Sequence, residues 1–251
     1  VTQPTHRVSI IIPAYNEGEH ILPGLRRIVA AVTSDAEILV VVDSADDTTI
    51  PPTELFAIDH PQVRVIVNDY GRGPANALRY GIDHANAHTL VVTMADGCDD
   101  PRQIDDLVLL VERGVVIAAA SRYMAGGQQV GAPRFKSLLS RTAGQSLHAF
   151  ANAGTRDATN SFKAYDAAFV RSVGIDSRDG FEIGIELTAK ARRLRLPVAE
   201  IPTIWLDRTA GTTNFRVAAW IPKYLRWYRF AFGPRLTLDQ LNAISKRSPT
   251  S

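Results

Sequence analysis

Three apolar, β-branched runs in the first hundred residues each end in a stretch that carries acidic side chains. Residues 8–12 lead into Pro13-Ala14-Tyr15-Asn16-Glu17, residues 38–42 into Asp43-Ser44-Ala45-Asp46-Asp47, and residues 90–93 lead towards Ala95-Asp96-Gly97-Cys98-Asp99-Asp100. An uninterrupted apolar run is the signature of a strand buried on both faces, which occurs in parallel sheets covered by helices. Two more β-branched or apolar runs fall at 63–67, where Arg64 interrupts, and at 115–120. Helical spacing separates them at 19–31, 74–84 and 101–113, with Pro74 and Pro101 suited to a first helical turn. The alternation predicts an α/β fold, a doubly wound, mostly parallel sheet with helices on both faces. Ligands of such sheets bind beyond the carboxyl ends of the strands, where the acidic stretches lie.

The second half is less regular. Residues 135–153 and 180–194 read as helices, residues 198–204 as a short strand broken by Pro202, and residues 217–232 as an aromatic amphipathic helix interrupted early by Pro222. With 251 residues, no repeat and no low-complexity linker, the chain is expected to build this half onto the sheet. The organisation predicted is one domain over 1–215 followed by a basic, aromatic segment over 216–251.

Acidic residues at three strand ends suggest a site for a nucleotide's base and ribose together with a divalent cation, since a hard cation takes carboxylate and phosphate oxygens. A single such Asp reads equally well as a turn or helix cap, but three in one sheet do not. Gly71-Arg72-Gly73, between a strand and a helix, imitates the start of a dinucleotide fingerprint. The imitation fails, because Asn76 stands at the third glycine position and the first strand ends in Pro13.

Taken in order, Val8-Ser9-Ile10-Ile11-Ile12-Pro13-Ala14-Tyr15-Asn16-Glu17 resembles the opening of the family 2 inverting glycosyltransferases of the GT-A fold. Segments 73–81, 94–101, Ser121-Arg122-Tyr123, 157–165, 181–191 and Asp207-Arg208-Thr209-Ala210-Gly211 are similar to its dolichol-phosphate mannose synthase branch, so the likeness runs from Val8 to Phe215. The resemblance implies that Pro13, Ala14, Tyr15, Glu17 and Asp43 hold the nucleotide and that Asp96 reaches a Mg2+ or Mn2+ on the sugar diphosphate. It also implies that Arg122, Lys136, Ser140 and Arg208 surround the phosphate of an acceptor lipid, as basic side chains suited to charge-assisted bonds would. Arg141, beside Ser140, is an alternative contact. Departures from the family pattern stand out at two places. Met94-Ala95-Asp96 replaces Asp-x-Asp, and Cys98, a soft ligand, stands two residues after Asp96. Thr159-Asn160-Ser161-Phe162 replaces the Thr-Ser-Gly-Phe pattern of the branch.

The function expected is transfer of a sugar from a GDP- or UDP-sugar to a polyprenyl (dolichyl-type) phosphate, with inversion. Two alternatives stay open: a soluble glycosyltransferase acting on a hydroxyl of a small natural product, and a non-catalytic nucleotide-sugar-binding protein. A hydroxyl acceptor needs a carboxylate base, for which Asp99, Asp100, Glu182 and Glu186 are candidates; otherwise these four are caps or paired helix carboxylates.

The balance of 28 Lys and Arg against 26 Asp and Glu argues against a nucleic-acid partner. Its distribution is uneven: from Ala191 onward there are eleven Lys and Arg against three Asp and Glu, which suits an anionic surface. Lys223, Arg226 and Arg229 break the best apolar stretch, well short of the roughly 18 residues that a membrane span needs. The helix at 217–232 therefore either lies in a membrane interface, with Trp220, Tyr224, Trp227 and Tyr228 on one side, or packs its aromatics into the core. A lone cysteine, Cys98, and no secretory pattern ahead of Val8 lead to an expected cytoplasmic location, peripheral at the membrane if the acceptor is a lipid.

Overall fold

The computed structural model describes residues 5–131, 134–178, 180–207 and 217–247. In chain order the elements are β1 (His6–Pro13), α1 (Ile21–Ala31), β2 (Ala36–Val42), α2 (Ile50–Asp59), β3 (Val63–Val67), α3 (Pro74–Asp83), β4 (Ala87–Val92), α4 (Ile104–Glu112) and β5 (Ile117–Ser121). There follow β6 (Gln128–Val130), α5 (Arg134–Ser146), β7 (Lys163–Asp166), α6 (Ala167–Val173), α7 (Ile183–Leu194), β8 (Val198–Pro202), β9 (Ile204–Leu206), α8 (Val217–Ala231) and α9 (Leu238–Arg247).

A seven-stranded sheet in the order β3-β2-β1-β4-β7-β5-β8 forms the frame, and β6 and β9 make a separate parallel ribbon. Only β7 runs antiparallel to its neighbours, β4 and β5. This is the mostly parallel, doubly wound sheet expected from the sequence. Successive residues of a strand face opposite sides. Ile10, Ile12, Ile38 and Val40 accordingly meet Leu25 and Ile28 of α1 and Leu107 and Val108 of α4 in one layer. Ile11, Leu39, Val41, Leu90 and Val92 meet Leu78 and Ile82 of α3, Phe169 and Val170 of α6 and Leu187 of α7 in the other. Burying each of these large side chains contributes roughly 1.5–3 kcal/mol, which is why the register of the central strands is fixed. Gly81 lets α3 approach the sheet; a Cβ there would stand 2.6 Å from Ile11 Cγ2.

The chain runs β1 to β2 to β3 outward on one side, then returns to place β4 on the other side of β1. That reversal is a topological switch point, and it opens a crevice beyond the ends of β1 and β4.

The second half joins the sheet through β7 and β8, and α8 packs on α7. The aromatic side of α8 turns inward. Trp227 is 4% exposed, and its indole N–H donates to Ser177 Oγ at 3.1 Å. Tyr228 shares a 2.9 Å hydrogen bond with Ser146 Oγ, and Phe230 meets Trp227 edge-on. Of the two arrangements left open for this helix, the described residues therefore take the packed one, because Leu147 and Ala151 after α5 and Ile185 and Ala189 of α7 supply an apolar wall, and Ser177 ahead of α7 supplies a polar partner for the indole. Arg226 and Arg229 remain exposed. The Trp220 side chain lies outside the described residues. No helix among the described residues is long and apolar enough to cross a membrane.

Candidate active site

The loop after β1 forms the floor of the crevice. Pro13 and Ala14 are buried, the Ala14 N–H donates to Val41 O at 2.9 Å, and Tyr15 stands 58% exposed at the rim. Asn16 adopts φ 52°, and its N–H donates to both carboxylate oxygens of Asp47, at 3.0 and 3.2 Å. Glu17 N–H donates to Thr49 Oγ1 at 3.0 Å. Asp47, itself buried, thus ties the β1 loop to the β2 loop. Its role was not legible in the sequence, since the bond joins residues far apart along the chain.

Asp43 at the end of β2 is equally well anchored. Asn68 Nδ2 donates to its Oδ1 at 3.0 Å, and the Gly73 N–H to its Oδ2 at 2.8 Å. The glycine loop that imitated a dinucleotide motif is therefore the brace that orients this carboxylate. Pro13, Ala14, Tyr15 and Glu17 at the end of β1 and Asp43 at the end of β2 thus stand at the same ends of two paired parallel strands.

Asp96 follows β4 on the opposite side of the switch point. Its Oδ1 accepts from the Cys98 N–H at 3.1 Å, and the turn is completed by Gly97 at φ 68°. Arg27 of α1 braces the turn through Gly97 O at 2.7 Å and Asp99 O at 3.2 Å. Asp99 folds back under the strand end, where Oδ2 accepts from Thr93 Oγ1 at 2.9 Å and from the Met94 N–H at 3.3 Å. Burial first, and the charge of Asp96 second, push Asp99 up to about 6, against those two bonds and the attraction of Arg122.

The donor set suits a hard divalent cation. Mg2+ needs only one or two protein carboxylates because it shares the oxygens of a substrate phosphate. Of Met94, Asp96 and Cys98, Asp96 alone offers a hard oxygen, while Met94 and Cys98 are soft groups. Among the described residues, no three His, Cys, Asp or Glu gather into a self-sufficient cage, so a diphosphate would have to complete the shell.

Beyond β5 lies a second cluster. Arg122 grips Asp157 with two prongs, Nε to Oδ2 at 2.7 Å and Nη2 to Oδ1 at 2.8 Å, and adds its backbone N–H at 3.0 Å. Burial disfavours the guanidinium charge, but the Asp157 carboxylate more than offsets it and the pKa of Arg122 is raised. Arg122 Nη2 also lies 3.5 Å from Ser140 Oγ, which shares a 2.6 Å hydrogen bond with Thr159 Oγ1. Ser140 rides on α5, and α5 sits close because of Gly144: a side chain there would collide with the Arg156 carbonyl. Arg122 and Ser140 are thus brought together, with Asp157 and Thr159, which the sequence placed in a family-like segment without a role, as their partners. Arg141 is exposed on the same helix. Arg208 and the side chain of Lys136 lie outside the described residues.

Under this cluster Lys163 is fully buried, and its ammonium donates to Ala158 O at 3.3 Å and to Asn160 O. Burial pushes its pKa down to about 7, opposed by Asp157. Above the cluster α8 approaches. Burial and then Glu182 raise the pKa of the Tyr224 hydroxyl, while the Arg122 charge acts the other way.

The four candidate bases divide. Asp100 caps a turn through the Arg102 N–H at 3.1 Å and pairs with the Arg102 guanidinium at 2.6 Å. Glu186 is buried, accepts the backbone N–H groups of Asp176 and Ser177, and pairs with Lys190 at 2.6 Å. Both are structural. Glu182 is buried within electrostatic range of Tyr224, and Asp99 within that of both Asp96 and Arg122.

Residues 9–174 match the family described as glycosyl transferase family 2. The chain is 30% identical over 234 residues to the polyprenol monophosphomannose synthase of Mycolicibacterium smegmatis, covering 87% of this chain and 88% of that one. It is 28% identical over 214 residues to the undecaprenyl-phosphate mannosyltransferase of Micrococcus luteus, covering 83% and 87%. The fold is similar to that of glucosyl-3-phosphoglycerate synthase from Mycobacterium tuberculosis, solved with Mn2+, UDP and glucosyl-3-phosphoglycerate, with a TM-score of 0.66, 17% identity, and 93% and 82% of the two chains covered.

Proposed function

The chain belongs to glycosyl transferase family 2, and from that premise we propose that it transfers a sugar, with inversion, from a nucleotide diphosphate donor to a polyprenyl phosphate. The observation that carries this reading is the pairing of two unlike half-sites. Carboxylates line the crevice at the ends of β1, β2 and β4, and an Arg-Ser-Thr cluster sits at the end of β5. Asp99 is within electrostatic range of both Asp96 and Arg122. The names of the relatives point the same way, and they make mannose the first sugar to test.

In this reading Pro13, Ala14, Tyr15, Glu17 and Asp43 hold the nucleoside, and Asp96 holds Mg2+ or Mn2+. When bound, that cation neutralises charge on the departing diphosphate. Arg122 and Ser140, joined by Lys136 and Arg208, position the acceptor phosphate. Asp157 already balances the charge of Arg122, so the surplus positive charge that a phosphate requires comes from Lys136, Arg208 and Arg141.

An ionised phosphate oxygen is a ready nucleophile. It forms the bond to the sugar carbon as the bond to the diphosphate oxygen breaks, and the electron pair leaves with the nucleoside diphosphate. No proton has to be removed, so catalysis is positioning and electrostatics, and structural roles for Asp100 and Glu186 are consistent with it. The catalytic unit spans 1–215 and the basic segment 216–251 stabilises its acceptor side. The protein works at the cytoplasmic face of a membrane, with no nucleic-acid partner.

The test is a panel of GDP- and UDP-sugars against a polyprenyl phosphate and against glycerol-type hydroxyl acceptors. Transfer to the phosphate alone supports the reading; transfer to hydroxyls alone overturns it.

A further inference from the structure

The metal motif lacks its first carboxylate, because Met94 stands where an acidic residue is expected. The structure places another carboxylate at the same strand end. Asp99 is more than nine-tenths buried, and its Oδ2 hangs on the Met94 N–H and on Thr93 Oγ1, so the group lies against the backbone of position 94 itself. Its other oxygen, Oδ1, accepts no hydrogen bond among the described residues. Asp96 lies within electrostatic range of this carboxylate. The turn that brings Asp99 back is held by Gly97 at φ 68° and by Arg27, which clamps the carbonyls of Gly97 and Asp99. Thus a buried carboxylate, hung on the backbone of position 94, lies within electrostatic range of the one residue of the motif that offers a hard oxygen.

We infer that Asp99 replaces the missing acidic residue at position 94 and supplies the second negative charge for a divalent cation held by Asp96. This rests on the proposed role of Asp96. A carboxylate at position 94 would sit on the strand end itself; Asp99 would bring its carboxylate back to that strand end from the other end of the turn. The substitution of Met for Asp is then a relocation of charge within the turn, and the thioether fills the space without competing for Mg2+.

The test uses the full chain and three variants, Asp99→Asn, Met94→Asp and the double variant, with Asp96→Ala as reference. Asn keeps an oxygen for Thr93 and Met94 and removes only the charge. Mn2+ binding is followed by electron paramagnetic resonance, with GDP and with UDP in separate titrations, and thermal melts report folding. Asp99→Asn is expected to weaken Mn2+ binding about tenfold or more, in the range seen when groups around a metal are lost. Adding Met94→Asp to Asp99→Asn is expected to restore it. Unchanged Mn2+ affinity in Asp99→Asn would overturn the inference while leaving Asp96 in place. So would a loss that Met94→Asp does not rescue, which would assign Asp99 to folding of the turn. Mn2+ binding that survives Asp96→Ala as well would remove both this inference and the reading on which it rests.

Discussion

Arg122 and Asp157 form a two-pronged ion pair in which the arginine side chain is 10% exposed and the aspartate not at all. A buried pair of this kind is costly to break from one side only, since the surviving charge stays desolvated. Asp157→Ala should therefore cost about 3–5 kcal/mol of stability, measured by urea unfolding. A loss below about 1 kcal/mol, the range of exposed pairs, would mean that the pair is solvated in solution.

Arg122→Lys tests the acceptor side. Lysine keeps the charge but cannot make the fork to Asp157. Acceptor KM should rise about ten- to a hundredfold, the worth of one or two charge-assisted hydrogen bonds of roughly 1.5–3 kcal/mol. Nucleotide affinity, read by calorimetry, should stay within a factor of two or so of the native value. Equal damage to both would move Arg122 to the donor.

Gly144→Ala should act on the same cluster through α5, because the new methyl meets the Arg156 carbonyl. Overpacking of this sort costs about 1–3 kcal/mol. A stability equal to that of the native chain would show that α5 is free to shift.

Lys163 gives a pH dependence. Its pKa is about 7 in the folded chain and near 10.5 when exposed, so between these values the unfolded chain binds the proton more often. Unfolding free energy then rises with pH across that window, and this group contributes no slope below it. In Lys163→Met the rise should disappear, which denaturant titrations at about pH 7 and about pH 9.5 can read, the two ends of that linkage window. An identical slope in both proteins would refute it.

The C-terminal helix separates packing from surface charge. Trp227→Ala should destabilise by about 3–5 kcal/mol, as loss of a core tryptophan does. Arg229→Glu should leave the melting temperature nearly unchanged and reduce cosedimentation with anionic vesicles at low salt, since each basic residue near such a surface is worth about 1 kcal/mol. Vesicle binding equal to that of the native protein would exclude this edge of α8 from membrane contact.

How much of this was legible beforehand depended on whether a contact was local. β1, β2, β4 and β5 announce themselves because both of their faces are buried, so that each reads as a short, largely apolar run, too short for a buried helix. β7 does not: Lys-Ala-Tyr-Asp is too short and too polar, and only its slot between β4 and β5 makes it a strand. α2 hid behind Pro51 and Pro52, which a first helical turn tolerates. The three-residue strands β6 and β9 exist only as each other's partners. In the site, the segments around Asp43, Asp96 and Arg122 were visible as ordered motifs. Asp47, Asp157 and Thr159 also fall in segments visible in the sequence, but their roles were not visible, because each acts on a residue distant in sequence, Asn16, Arg122 and Ser140 respectively.

The most direct measurement is transfer of labelled sugar from GDP-mannose and from UDP-glucose, with Mg2+ or Mn2+, to a polyprenyl phosphate in detergent, with the product identified by mass spectrometry. The expected product is a polyprenyl phosphate carrying one sugar, formed by the native chain and lost in Asp96→Ala. Label found only on a water-soluble hydroxyl acceptor, with none on the lipid phosphate from either donor, would contradict the proposed reaction.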